Sequence, residues 1–324
     1  MAGAAVTELL RVTATHEADA WVCSIVAGAV GAFVVLFAVG RGQGRAAPHA
    51  RVGADAPSGA EVGSAGRGSR LGLAGGFMGA LAGALAAAIV GAAIGATLLP
   101  IGLRLPAAIA AGSLVPLLGG DRMAIGALVG FAIAGAIAAR WSRIDPWRAL
   151  DRLAPSTGVL VVAGRIGCFL EGCDFGEVTS VGWGVRYPAG SHAFEHHVAR
   201  GLVSATDAAS LLVHPVQLYE VLVGLAMIAI AIGMLRRDAR SRASFPERAD
   251  AEVGRRSRSA TAGRVLRVTL GVYAIGRLAI EPFRGDPRPA LGALSLPQWL
   301  AVALLAWCLA GLLDGARAPA RARR

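Results

Sequence analysis

The chain contains no lysine; all 32 of its basic residues are arginine. With so much alanine and glycine around them, this points to codon bias rather than to a charge device. Charge of either sign is scarce, at 16% of 324 residues, and aromatics make up only 6%. A chain of this length could form two soluble domains, but so little charge argues against them. Cysteine is limited to Cys23, Cys168, Cys173 and Cys308, too few for a disulfide framework. The first twenty residues are mixed and polar, and no small-residue cleavage site follows. A secretory signal peptide is therefore not expected. No internal repeat of the kind that builds many secondary transporters is visible.

Apolar length is what the sequence has in abundance. Hydrophobic residues make up 55% of the chain, and several runs approach the roughly 20 residues needed to cross about 30 Å of hydrocarbon. Soluble helices with an alanine-rich core would show a polar face every turn. Residues 71–100 and 215–235 show none. The expected class is an all-α integral membrane protein with about seven spans, near 21–40, 71–99, 122–140, 156–173, 215–235, 268–283 and 296–313. The segment 101–120 is apolar but holds Pro106 and Pro116, so it is expected to be a surface or re-entrant piece.

The arginines set an orientation. Loop 41–70 carries five Arg against two acids, loop 236–267 ten against four, and the tail after Leu313 four against one. The positive-inside rule places all three in the cytoplasm, which gives N-out and C-in with seven spans. This also accounts for the formal charge of +11 without nucleic acid as a partner. The basic loops hold almost no large apolar residues and are expected to be disordered. The loop 174–214 contains Trp183, Tyr187, Phe194, His192, His196 and His197, enough for a small extracytoplasmic cap. The irregular spacing of its histidines argues against a zinc site. The expected organisation is N-terminal spans over 1–119, a core over 120–313 that includes the cap, and a basic tail over 314–324.

Arg165, Glu220, Arg277 and Glu281 lie inside the apolar runs. A charge at the bilayer centre costs roughly 2.5–3.5 kcal/mol on insertion scales, so such residues usually face a protein interior and mark a substrate path. Arg165 lies thirteen residues past Arg152 and Glu281 fourteen past Arg267. At 1.5 Å per residue these are about 20 and 21 Å from the cytoplasmic edge. Glu220, counted down from His214, falls at about the same height. Arg277 and Arg284 lie about one turn below and above Glu281. Three arginines against two glutamates leave one spare positive charge, which a phosphodiester would balance, and the planar guanidinium fork suits phosphate. Plain interhelical ion pairs are the competing reading, although buried pairs seldom repay their desolvation.

These residues sit in recognisable runs. Gly164-Arg165-Ile166-Gly167-Cys168-Phe169-Leu170-Glu171-Gly172-Cys173-Asp174-Phe175-Gly176 resembles the G-R-x-G-N-F-x-N-G-E-x-x-G signature of bacterial prolipoprotein diacylglyceryl transferases. His214-Pro215-Val216-Gln217-Leu218-Tyr219-Glu220 resembles the family's H-P-S-Q-L-Y-E, and Arg277 through Asp286 its R-x-x-x-E-x-x-R-x-x-D region with one residue missing before the Asp. Leu294-Ser295-Leu296-Pro297-Gln298-Trp299 resembles L-S-M-G-Q-W at the start of the last span. The motifs cover about 120–313.

The resemblance implies transfer of the diacylglyceryl group of phosphatidylglycerol to the lipobox cysteine thiol of a prolipoprotein, with release of glycerol phosphate. It implies a multi-pass enzyme of the bacterial cytoplasmic membrane that works on the extracytoplasmic side without a metal or organic cofactor. Its partners would be phosphatidylglycerol, prolipoprotein lipobox segments and membrane lipids. Arg165, Arg277 and Glu281 would be catalytic. Gly167, Gly176, His214, Gln217, Tyr219, Glu220 and Arg284, together with Arg165, would bind substrate.

The chain departs from the family pattern at several positions. Cys168 replaces the first signature Asn, Glu171 the second Asn, and Cys173 the Glu. The family's H-G-G-L-I-G matches Ile125-Gly126-Ala127-Leu128-Val129-Gly130, which puts Ile125 at the histidine. A thiol nucleophile must be deprotonated, and Asp174, His214 or Glu220 could take that role. Cys168 and Cys173 could form a disulfide, act as a redox or lipid-acceptor pair, or simply pack near the headgroups. A different acceptor on the same phospholipid site, or a catalytically silent lipid-binding protein, are the other readings.

Overall fold

A computed structural model describes residues 65–113, 123–244, 262–288 and 290–321. The expected span at 21–40, most of the basic loop 41–70, residues 114–122 and residues 245–261 lie outside the described residues, as does Cys23. The elements are α1 (Ala65–Ala111), α2 (Ala124–Trp141), α3 (Pro146–Glu171), α4 (His192–Ala199), α5 (Val216–Ser244), α6 (Arg264–Ile280) and α7 (Leu296–Arg321). A 3-10 turn, Glu281–Phe283, ends α6. An antiparallel hairpin, β1 (Ala290–Leu291) with β2 (Leu294–Ser295), leads into α7.

Among the described residues, five segments are long and apolar enough to cross a bilayer: Gly76–Pro106, Ala124–Trp141, Pro146–Glu171, Val216–Ser241 and Leu296–Gly315. Their outward faces are apolar too, as Val90, Leu98, Ile133, Leu222, Leu225 and Leu309 on four of them show. Large exposed aliphatics on so many helices suit lipid as the surrounding solvent rather than water. The helix α6, over the expected span at 268–283, has a different character. It is 17 residues long, and Leu266, Thr269, Leu270, Tyr273 and Arg277 are all buried. One face of this helix is packed in protein, while Ile275 on the other is 57% exposed.

The segment after residue 100 differs from the sequence expectation. The helix α1 continues through Pro100 and Pro106 to Ala111 instead of breaking into a surface piece. A proline inside a helix withholds an N–H from the carbonyl four residues back, here that of Ala96. The backbone N–H of Met123 donates to that carbonyl at 3.1 Å. The orphaned acceptor is thus satisfied from outside the helix, which is how spans accommodate proline.

The chain forms two compact units. One takes in the described parts of Phe33–Leu153 and Ile232–Val265. Within it α1 packs on α2 through glycines: a Cβ on Gly130 would come within 2.0 Å of the Gly91 carbonyl oxygen. Small residues at such a seam let two backbones approach, which is the main source of helix association in lipid. In the same unit the Arg152 guanidinium lies 4.5 Å from the centre of the Phe77 ring.

The other unit takes in Ala154–Ala231 and Leu266–Arg317 and contains the residues of interest. Here Gly158 on α3 faces Gly224 on α5, and Gly276 on α6 faces Val223. The segment between α3 and α5 holds a short helix, α4, and a small core of its own. Phe175, Tyr187, Ala193 and Val213 form a small core with Phe169 and Val185 packed against it. Phe194 and His197 are buried as well, whereas Trp183 is 65% exposed. Ser191 caps α4 through its side chain, which accepts from the Phe194 N–H.

Candidate active site

The helix α3 brings Arg165 to the site and then reverses sharply. Its last turn closes with the Cys173 N–H donating to the Cys168 carbonyl at 3.1 Å, with Gly172 left-handed at φ 71°. This is the Schellman arrangement, which favours glycine at that position. A Cβ on Gly172 would also meet the Tyr187 ring at 2.8 Å. Asp174 follows, itself at φ 55°, and its carboxylate returns to pair with Arg165. The buried Gln217 secures the turn by donating from Nε2 to the Cys173 carbonyl at 2.7 Å.

Beyond the turn, residues 175–177 are strapped between two other segments. Glu177 N–H donates to the Phe283 carbonyl at 2.8 Å, Gly285 N–H to the Phe175 carbonyl at 3.1 Å, and His214 N–H to the Glu177 carbonyl at 3.0 Å. A Cβ on Gly176 would lie 2.4 Å from the His214 carbonyl oxygen and 2.7 Å from that of Phe283. Only glycine permits this approach, and the approach sets Arg284 beside Asp174.

The result is one continuous ion-pair network within this unit. Glu220 is ion-paired with Arg165 and accepts, at 2.9 Å, from Arg284 Nη1. Asp174 pairs with Arg165, with Arg284 at 2.7 Å and with Arg288 at 3.4 Å. Asp286 holds the Nε atoms of Arg284 at 3.0 Å and Arg288 at 2.9 Å. Arg277 pairs with Glu281, whose Oε2 also lies 3.6 Å from Arg288, while Ser295 Oγ donates to Oε1 of the same carboxylate. Arg165, Glu220, Arg277 and Arg284 are all buried. The two arginines and two glutamates of the apolar runs therefore face the protein interior and share one network.

The expected charge balance is overturned. Among the described residues, Arg165, Arg277, Arg284 and Arg288 stand against Asp174, Glu220, Glu281 and Asp286 in the network, so the formal charges of these eight cancel and none of the four cations is spare. Asp174, Asp286 and Arg288 lie in turns that fold back over the helix ends. Burial opposes the ionisation of Asp174, but Arg284 and Arg165 outweigh it and hold the carboxyl well below the usual carboxylate range. At Asp286 burial prevails over Arg284, and the carboxyl is pushed up to about 6.

Two buried donors of the network lack a well-formed hydrogen bond: Arg284 Nη2, which still lies 2.7 Å from Asp174, and Arg277 Nη2. Arg277 is 3% exposed, and its Nη2 has no hydrogen-bond partner. A buried, charged donor without a partner carries a desolvation cost of at least about 1–3 kcal/mol, which an anionic ligand would relieve.

The other expected site residues are placed as follows. His214 Nδ1 lies 3.1 Å from Tyr219 Oη, which also accepts from Trp183 Nε1 at 2.8 Å. The His214 and Tyr219 rings both pack on Phe283. Gly167 is half-buried on α3, two positions from Arg165 and so turned away from its side chain. Ile125 is 6% exposed in the unit that does not contain the network. Cys168 and Cys173 are free thiols. Cys168 Sγ lies 3.9 Å from Asp174 Oδ2, and Cys173 Sγ lies 3.7 Å from the Cys168 carbonyl. Contact with Cys168, then burial, pushes the Cys173 thiol far up. Cys308 is buried in α7. Among the described residues no three His, Cys, Asp or Glu side chains converge as a metal site would require.

Sequence reasoning missed Arg288 altogether, and it treated Asp286 only as part of a motif. A signal existed in Arg284-Gly285-Asp286-Pro287-Arg288, where charges of alternating sign flank two turn-forming residues directly after a span.

Residues 80–313 match the family model for prolipoprotein diacylglyceryl transferase. The match begins upstream of residue 120, where the recognisable motifs start. The phosphatidylglycerol–prolipoprotein diacylglyceryl transferase of Clostridium tetani is 25% identical over 185 residues, 57% of this chain and 60% of that protein. The protein of the same name from Geobacter sulfurreducens is 32% identical over 53% of this chain and 51% of its own length. That from Leifsonia xyli is 29% identical over 52% and 42%. The chain thus spans about half the length of the curated relatives it matches. With a family match over most of its length and several membrane-crossing helices, the chain belongs to the prolipoprotein diacylglyceryl transferase family.

Proposed function

We propose that this protein transfers the diacylglyceryl group of phosphatidylglycerol to the lipobox cysteine of a prolipoprotein and releases glycerol phosphate. The reaction would take place on the extracytoplasmic side of a bacterial cytoplasmic membrane, in a seven-span, N-out, C-in arrangement. The observation that carries this reading is the unpartnered, buried Nη2 of Arg277, set within an arginine–carboxylate network. Family membership adds the substrate class.

In the reaction, the acceptor sulfur forms a bond to the glyceryl carbon esterified to phosphate. The carbon–oxygen bond breaks, its electron pair stays on the phosphate oxygen, and glycerol phosphate departs. Arg277, oriented by Glu281, and Arg165, oriented by Asp174 and Glu220, meet the charge that grows on the leaving phosphate. Fixed donors in a dry site are well suited to that role. Of the three candidate bases, Asp174 and Glu220 are each held by at least two arginines. Asp174, kept ionised by Arg284 and Arg165, is a weak proton acceptor, and Glu220 is committed to two guanidiniums. His214, paired with the Tyr219 hydroxyl and outside the ion-pair network, takes the thiol proton in this reading. Gln217 and Gly176 shape the turn, and Gly167 contributes only through the helix backbone.

A second reading keeps the phospholipid site and changes the acceptor. It is favoured by Ile125, an apolar core residue where the family carries its histidine. Purified protein incubated with phosphatidylglycerol and a lipobox peptide should yield a thioether-linked diacylglyceryl peptide and free glycerol phosphate. Glycerol phosphate without modified peptide would select the second reading. Lipid binding without turnover would rule out both in favour of a silent lipid-binding protein.

A further inference from the structure

An anion that enters this site meets charges that already cancel, so any guanidinium other than Arg277 can grip it only by giving up a carboxylate. The four arginines are not equally committed. Every Arg165 and Arg284 ion pair is 3.0 Å or shorter. Arg288 has the two longest contacts in the network, 3.4 Å to Asp174 and 3.6 Å to Glu281. Its side chain is also the most accessible of the four, at 16% against 11% for Arg165, 3% for Arg277 and 2% for Arg284. It sits in irregular chain past Pro287, whereas Arg165 and Arg277 are fixed on helices.

Arg288 and Arg277 also converge. Both address the same atom, Glu281 Oε2, and Arg277 Nη2 beside it is unpartnered. A carboxylate oxygen between two guanidiniums occupies the kind of position that a phosphate oxygen fills well.

We propose that Arg288 is the mobile cation of the site, leaving Glu281 and Asp174 to grip, together with Arg277 Nη2, the phosphate ester of an incoming or departing ligand. Asp286 remains its anchor throughout, at 2.9 Å from Arg288 Nε, and the planar guanidinium pivots as a unit about that contact. Two long contacts are exchanged for short, charge-assisted ones, and the empty donor on Arg277 is filled in the same movement. The inference rests on the phospholipid reading above and adds to it a residue that chooses anionic ligands. The ligand chemistry is a phosphate ester, present both in the lipid headgroup and in released glycerol phosphate.

The test uses the full chain in phosphatidylcholine nanodiscs containing graded phosphatidylglycerol, with binding and transfer measured separately and soluble glycerol phosphate as competitor. Arg288→Gln should weaken phosphatidylglycerol binding and raise its KM about tenfold, the loss of roughly one charge-assisted hydrogen bond. Its kcat should stay near that of the wild type. Weaker binding of phosphatidylglycerol alone identifies the lipid diester as the ligand, and weaker competition by glycerol phosphate alone identifies the product; either supports the proposal. Arg288→Lys keeps the charge but loses the fork, and it serves if the Gln variant misfolds. Unchanged affinity for both phosphatidylglycerol and glycerol phosphate in a folded Gln or Lys variant overturns the proposal, as does a fall in kcat with both affinities intact. A wild type that binds phosphatidylglycerol without transferring it ends the transferase reading and leaves this inference to the affinity ratio. A wild type that binds neither ligand overturns both.

Discussion

Asp174 is ion-paired with Arg165, nine residues earlier, because the helix that carries the arginine ends in a left-handed glycine turn that carries the aspartate back. A local capping rule thus becomes a feature of the candidate site. Gly172→Ala tests the link. It forces a Cβ onto φ 71° and toward the Tyr187 ring at 2.8 Å, and the backbone strain alone costs about 1–3 kcal/mol. A lowered melting temperature and a transfer rate reduced at least tenfold are expected. Wild-type rate in a destabilised variant would show that the turn supports folding and leaves the site untouched.

Arg165→Ala and Arg277→Ala should separate stability from activity. Removing Arg165 leaves Glu220 paired with Arg284, and Asp174 with Arg284 and Arg288. Removing Arg277 leaves Glu281 with Arg288 and Ser295. No carboxylate is stranded, so the destabilisation should fall short of the roughly 3–5 kcal/mol seen when a buried pair is broken outright. Transfer should fall about 10²- to 10³-fold, as when an oxyanion-stabilising donor is deleted. Parallel melting curves and single-turnover rates check both halves.

His214→Ala should lower kcat by about 10²- to 10⁴-fold, the usual contribution of a general base, and leave phosphatidylglycerol affinity unchanged. Tyr219→Phe removes the hydroxyl 3.1 Å from His214 Nδ1 and should cost less. The measurement is transfer at saturating lipid. If His214→Ala retains full kcat, the proton goes elsewhere.

Acid should strengthen anion binding. Burial raises the Asp286 carboxyl to about 6, so it takes up a proton as pH falls through that value. The network then changes from formally neutral to +1, and Arg284 and Arg288 each lose a charged partner. Asp174 stays ionised in this range because Arg284 and Arg165 outweigh its burial. Phosphatidylglycerol affinity should therefore rise between pH 7.5 and 5.5, and Asp286→Asn should flatten that dependence. The stability effect has its own sign. The folded carboxyl lies above its unfolded value of about 3.9, so its contribution is fully present below about pH 4 and is lost as pH rises through about 6.

The sequence by itself determined the class of molecule, the position of most of the described helices and the four charged residues of the apolar runs. Apolar runs of bilayer length can hardly fold otherwise, and a charge inside one has to turn inward, so Arg165, Glu220, Arg277 and Glu281 were legible before any coordinates. Counting 1.5 Å per residue along regular helices was enough to bring them together. Tertiary structure decided the charge balance. Asp174, Asp286 and Arg288 lie in turns, where direction depends on a left-handed glycine, a proline and a strap of three backbone hydrogen bonds. It also decided that α1 runs on past Pro100, because the relief for its orphaned carbonyl comes from Met123, 27 residues from Ala96 along the chain. Helix periodicity is a local property that composition reveals, whereas the closing of turns over a site depends on partners distant in sequence.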